Sequence, residues 1–199
     1  MLYLCMTKES STKRAILQKG FEMASSLSLG TISIGSLAKE MQMSKSGVFA
    51  HFQSKENLQL EILDFAARIF AEEVIIPSFK VDGGIPRIKE IVKRWIKWGL
   101  NIKGGCLFVD ATTEFNNRPG NIQNRLMIQQ KKWMSVLEKV GESAVKTGDI
   151  KSDTDCKQFA FDLYCLVLGY YYYSQLIKDP LLEQRQDISL NQFIKNYSN

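Results

Sequence analysis

Apolar residues recur along most of the chain at intervals of three and four, the spacing of helices that bury one face. Nowhere do they alternate residue by residue, as a half-buried strand requires. Ile16, Gly20, Phe21, Ala24 and Leu27 predict a first helix over 12–27, with Gly30 as its stop. Ile34, Leu37, Ala38 and Met41 stripe a short second helix, and Val48, Phe49 and Phe52 give an apolar face to a third. Gln42-Met43-Ser44 reads as a sharp break between them. Ser44 is placed to cap the third helix, and Thr31 or Ser33 to cap the second. Two short helices around a tight turn, the later one opening on small and cationic residues, read as a helix-turn-helix.

A long fourth helix starts at Lys55, where Ser54 and Asn57 come close to a capping box. Leu58, Ile62, Phe65, Ile69 and Val74 carry it to about Ile76, where Pro77 is expected to interrupt it. Residues 81–86 (VDGGIP) form a turn by composition and mark the best boundary between functional regions. Ile88, Ile91, Val92, Trp95, Trp98, Gly99 and Ile102 predict a fifth helix, ended by Gly104-Gly105. A shorter apolar helix spans Cys106 to Phe115. After the turn Asn116–Gly120, Ile122, Leu126, Trp133, Val136, Leu137, Val140 and Ala144 mark a helix reaching Gly148. From Asp155 to about Ile177 the apolar residues leave no polar face, so such a helix needs cover on both sides. One side can be its own domain and the other a second subunit, with Gly169 allowing a close approach. Ile188 to Tyr197 predict a last short helix. The fold expected is all-α.

Composition narrows the class without choosing a function. The chain has 199 residues, 45% hydrophobic and 24% charged, as an ordinary globular protein does. Its net charge is +5, and residues up to Asn57 carry seven Lys or Arg against four Glu. More than half of the positive excess therefore sits with the helix-turn-helix, a footprint suited to polyphosphate. Cys5, Cys106, Cys156 and Cys165 show no metal-ligand spacing, so neither a metal site, a disulfide framework nor a cofactor is expected. The opening Met1–Met6 is too short for a signal peptide, and no later run reaches the ~18 apolar residues of a membrane span. A cytoplasmic location is expected.

The third helix carries the chemistry. Lys45 can donate to guanine O6/N7 or to phosphate, and Ser46 to either bases or phosphate. Gly47 lets the helix seat close to the groove floor. Phe49 can meet a thymine methyl or belong to the core. His51 can reach a phosphate oxygen without full charge, and Lys55 stands where a helix N-terminus also favours phosphate. Thr31 and Ser33 are further phosphate donors. His51 makes a poor catalytic base, because it is the only histidine and no nucleophile is tied to it by spacing. No catalytic site is expected.

The string MSKSGVFAHFQSKENL resembles the DNA-binding signature of the TetR family of transcriptional regulators. Thr31, Leu37-Ala38, Met43-Ser44, Phe49, His51-Phe52, Ser54-Lys55-Glu56 and Leu58 occupy that signature's places. The stretch GGCLFVDATTEFNNRPG with the Trp-bearing helix after it is similar to the C-terminal domain of one subgroup. Two residues depart from the pattern. Gln42 stands where the family usually has Gly in the turn, and a positive φ there costs Gln roughly 1 kcal/mol. Ala50 replaces a larger, often aromatic residue that touches the DNA backbone in many members.

The resemblance implies a homodimer on a palindromic double-stranded operator, released by a small-molecule effector and acting, by family habit, as a repressor. It implies a DNA-binding domain over 7–55, its motif at about 33–52, and a ligand-sensing and dimerising domain over 56–199. The fourth helix would be the lever between them. Some of Trp95, Trp98, Phe108, Phe115, Trp133 and Tyr164 would line an apolar effector pocket, although core packing explains any one of them more simply. Asp110, Glu114, Asn116 and Gln129 are candidates for its polar groups. The alternatives are a ligand-independent DNA-binding protein and a helical enzyme with an incidental motif. The second is disfavoured by the lack of paired carboxylates, His clusters or a phosphate loop.

Overall fold

The computed structural model describes residues 11–198, so Cys5 and the expected domain start at residue 7 lie outside it. Among the described residues there is no strand; the chain is all-α. Its helices are α1 (Ser11–Leu27), α2 (Ile34–Glu40), α3 (Lys45–Phe52), α4 (Lys55–Phe70), α5 (Ile76–Ser78), α6 (Ile85–Asn101), α7 (Leu107–Phe115), α8 (Asn121–Thr147), α9 (Cys156–Leu176) and α10 (Leu182–Tyr197). None of them is long and apolar enough to cross a membrane. The chain forms two compact units. One takes the described chain as far as Phe70 together with Asn101–Gln129; the other takes Ala71–Leu100 and the chain from Gln130 onward. Helix α7 and the start of α8 thus share a unit with α1–α3.

In the first unit the apolar stripes meet as their spacing requires. Ile16, Leu17, Leu37, Ala38, Val48, Phe52, Leu58, Ile62 and Leu63 are all no more than 1% exposed. Truncating the fully buried Phe52 to Ala would cost about 3–5 kcal/mol, enough to undo most of a small helical motif. Lys13 adds to this core from outside, its ammonium 5.5 Å above the Phe52 ring and 2.5 Å from Glu61. The loop between α6 and α7 closes on the end of α1. Gly104 holds φ 98°, and a Cβ there would strike the backbone of Ser25 and Ser26. Ser26 Oγ donates to the Lys103 carbonyl at 3.0 Å on the same seam.

At four places the chain departs from the pattern its apolar spacing predicts. Leu27 is 64% exposed, because α1 ends there and Ser28 turns the chain away at φ 118°. Gly30 therefore does not stop α1; it lies within a 3-10 turn, Leu29–Thr31. Pro77 does not end the fourth helical run. The ladder loosens into a π-helical turn over Ala71–Ile75, so Pro77 enters in the first turn of α5, where its missing N–H is not called on. The last helix starts at Leu182, earlier than Ile188, because Asp179 accepts from the Leu181 amide at 2.8 Å and sets the turn. The polar stretch LEQRQD hides that start from an apolar period.

In the second unit, Ile88, Ile91, Val92 and Trp98 of α6, Leu137, Val140 and Ala144 of α8, and Phe159, Ala160, Leu163 and Val167 of α9 are buried. Helix α9 has one covered side. The other presents Phe161, Cys165, Gly169, Tyr172 and Leu176, all exposed.

Candidate nucleic-acid interface

Helix α3 owes its start to Ser44, whose Oγ accepts from the Gly47 amide at 3.0 Å, as the sequence predicts. Gln42 before it has φ 55° and Gln53 after it φ 59°, so both ends are set by left-handed residues. The condition attached to Gln42 is met, and its side chain carries the corresponding strain. Helix α2 begins on a reciprocal cap: Ser33 Oγ accepts from the Ser36 amide, and Ser36 Oγ from the Ser33 amide, both at 3.0 Å. Ser36 fills the place that Glu or Gln takes in the usual capping box.

Val48 and Phe52 turn inward and are completely buried, which leaves Lys45, Ser46, Phe49 and Ala50 outside. Phe49 is 52% exposed, so of its two expected roles the core is excluded. The Lys45 stem lies over Gly35 of α2, where a Cβ would stand 3.4 Å from its Cε. Ser46 Oγ is 3.2 Å from Ser44 Oγ. A Cβ on Gly47 would come within 3.1 Å of that same capping oxygen, so Gly47 protects the cap as well as slimming the helix. His51 is half-buried, its ring 6.0 Å from that of Phe52.

Not all of the basic excess in this region is available to a polyanion. Lys13 faces Glu61, and Lys19 is 2.8 Å from Glu40, whose carboxyl that hydrogen bond holds below the usual carboxylate range. Exposed pairs of this kind add little to stability, but they do cancel charge. Lys55 Nζ donates to the Gly30 carbonyl at 2.5 Å, and Thr31 Oγ donates to the Ser28 carbonyl at 2.9 Å. Both side chains therefore lie on one turn, next to the start of α2.

The turn is held from further residues that the pattern of apolar positions did not single out. Gln59, 4% exposed, donates from Nε2 to the carbonyls of Leu29 and Ile32. Glu114 of α7 accepts from the Gly30 amide. Away from the turn, Asp64 of α4 receives Arg125, and Gln129 at 3.1 Å, both from α8. A carboxylate or amide on a helix gives no sign in the sequence of which distant backbone it will reach.

The six aromatics expected around an effector fall into two groups. Phe108 and Phe115 belong to the first unit, where Phe108 packs edge-on against Phe70 at 6.1 Å and Arg118 covers Phe115. Trp95, Trp98, Trp133 and Tyr164 belong to the second. There Trp95 meets Trp133 edge-on at 4.8 Å and Tyr164 at 5.7 Å, with Trp98 buried. Of the polar candidates, Glu114 and Gln129 serve the contacts above, and Asn116 is exposed with its carbonyl accepting from Gln123. Asp110 is half-buried, and burial pushes its carboxyl up.

Comparison with known proteins adds a family match and several structural likenesses. A family model described as the tetracyclin repressor-like C-terminal domain matches residues 84–186. A TetR-family transcriptional regulator from Cytophaga hutchinsonii has the same fold, with TM-score 0.80 at 16% identity over 96% of this chain and 98% of its own. A TetR-family regulator from Streptomyces coelicolor gives 0.81 at 16%, over 97% and 92%. AibR, solved with isovaleryl coenzyme A and operator DNA, gives 0.71 at 21%, over 90% and 96%. No curated protein sequence matches significantly.

Proposed function

Because the chain belongs to the TetR family of transcriptional regulators, we propose that it is a homodimeric repressor whose two α3 helices enter successive major grooves of a palindromic operator. Residues 7–55 act as the DNA-binding domain and 56–199 as the sensing and dimerising one. The observation that carries this reading is the outward face of α3. Its apolar residues Val48 and Phe52 are spent on the core, while Lys45, Ser46 and Phe49 stand in the open at a well-capped N-terminus. Lys45 and Ser46 reach base edges or phosphate, Gly47 keeps the helix slim, Phe49 meets a thymine methyl, and His51 and Lys55 contact phosphate, joined by Thr31 when its hydroxyl turns from the Ser28 carbonyl to a phosphate oxygen. Ser33 contributes at the start of α2, which it also caps.

The dimer is supported by α9. Its stripe Phe161, Cys165, Gly169, Tyr172 and Leu176 repeats every three or four residues, and nothing lies within 4 Å of the open side of Gly169. An apolar helix face of this length is what a second copy would cover. A small apolar effector is supported by the Trp95–Trp133–Tyr164 cluster; the similarly folded AibR was solved with isovaleryl coenzyme A, of which only the acyl end is apolar. The effector favours a dimer conformer with a different spacing between its α3 helices and so releases the DNA.

The test is operator binding by Lys45→Ala and His51→Ala across a salt series. Each should lose about tenfold in affinity, and Lys45→Ala should flatten the salt slope by about one. Unchanged binding by both, in chains as folded as the wild type, would sink the assignment of α3.

A further inference from the structure

The turn that delivers Thr31 to α2 is gripped on both sides of one residue. The Gly30 amide donates to Glu114 Oε2 at 3.0 Å, and the Gly30 carbonyl accepts from Lys55 Nζ at 2.5 Å. Gln59 fixes the flanking carbonyls of Leu29 and Ile32. The other Glu114 oxygen faces Arg118 at 3.7 Å. Two of these three clamping residues, Lys55 and Gln59, come from α4, beside the motif. Glu114 comes from α7, which lies within the matched 84–186 segment of the chain. Glycine at position 30 makes room for this contact. A Cβ there would overlap the Glu114 carboxylate, meeting Cδ at 2.9 Å.

We propose that Glu114 is a positioning residue for DNA recognition: by holding the Gly30 amide it fixes the turn on which Thr31 and Lys55 meet the operator. Lys55 has its ammonium on the same residue that Glu114 anchors. A shift of α7 therefore moves an operator contact directly, through one hydrogen bond, with no need to reorient α3. A charged acceptor on a backbone amide is the stronger kind of hydrogen bond, and so suited to transmit such a shift. The inference rests on the proposed reading in which α3, with Thr31 and Lys55 beside it, faces DNA. It goes beyond that reading by placing control of the contact on a residue of the matched C-terminal segment.

The experiment uses the full chain and a duplex selected by the wild type from a random pool. Affinity is measured for Glu114→Ala, Glu114→Gln, Gly30→Ala, the double variant Gly30→Ala/Glu114→Ala, and Lys45→Ala. All are compared at a temperature where circular dichroism shows each fully folded. Glu114→Ala should bind about tenfold more weakly, and Glu114→Gln, which keeps an acceptor oxygen, within about threefold of wild type. Gly30→Ala should match Glu114→Ala, and the double variant should be no worse than either, because both changes remove one contact. A merely structural tether would lower the melting temperature yet leave the folded chains at wild-type affinity. Wild-type affinity for Glu114→Ala with loss for Lys45→Ala overturns the inference alone. Wild-type affinity for both overturns the reading of α3, and the inference falls with it.

Discussion

Helices α3 and α9 each bury one face and present the other, and the two presented faces differ in kind. On α3 the open residues are Lys45, Ser46 and Ala50 around a single aromatic, Phe49. On α9 they are Phe161 and Tyr172, each more than half exposed, and Leu176, 90% exposed. A cationic, small-residue face beside a capped helix N-terminus suits a hydrated polyanion, which must not be asked to shed its water over a large area. An aromatic stripe centred on an open glycine suits another apolar helix. The lesson is that the class of partner is written on the side of a helix that its own chain leaves uncovered.

Charging the open face of α9 should erase its difference from α3. Phe161→Asp with Tyr172→Asp should weaken self-association by about a hundredfold or more, since the charges would be buried unpaired. Sedimentation at micromolar concentration should show a folded monomer for the variant and a dimer for the wild type. A monomeric wild type would remove the distinction between the two faces. A smaller change sharpens the α3 side. Gln42→Gly relieves the positive φ in the turn and should stabilise the chain by about 1 kcal/mol in chemical denaturation, with operator affinity kept or improved. No gain would mean that the Gln42 side chain makes up for its strain.

The smallest effect concerns Asp110, on α7 in the same unit as α3. Burial raises its pKa in the folded chain, so the folded state binds that proton more tightly than the unfolded state does. The stability this provides is full below the unfolded value of about 3.9 and is lost as pH rises through the folded value. Asp110→Asn should therefore raise Tm by about 1 °C at pH 7, with the gain fading below about pH 4. An equal gain at both pH values would contradict the burial account.

Much of this was legible in the chain itself. The caps Ser44 and Ser33, the turn at Gln42, the buried Val48 and Phe52 and the period of α6 all follow from local spacing and local hydrogen bonding. These depend on neighbours within four residues. What the sequence hid were contacts set by the fold: Glu114 on Gly30, Gln59 on Leu29 and Ile32, and Asp64 on Arg125. Pro77 misled for a related reason, since its effect depends on the π-helical turn before it. The exposure of Phe49 needed the structure too, because its spacing fits a core position as well as a surface one.

Whether α3 reads DNA from a symmetric dimer is decided by selecting bound duplexes from a random pool with the full chain. A symmetric dimer should enrich a palindrome whose half-site centres lie about one helical turn, roughly 34–36 Å, or a multiple of it apart, and Lys45→Ala should lose that enrichment. Absence of any enriched sequence, or a single half-site without its symmetric mate, would contradict it.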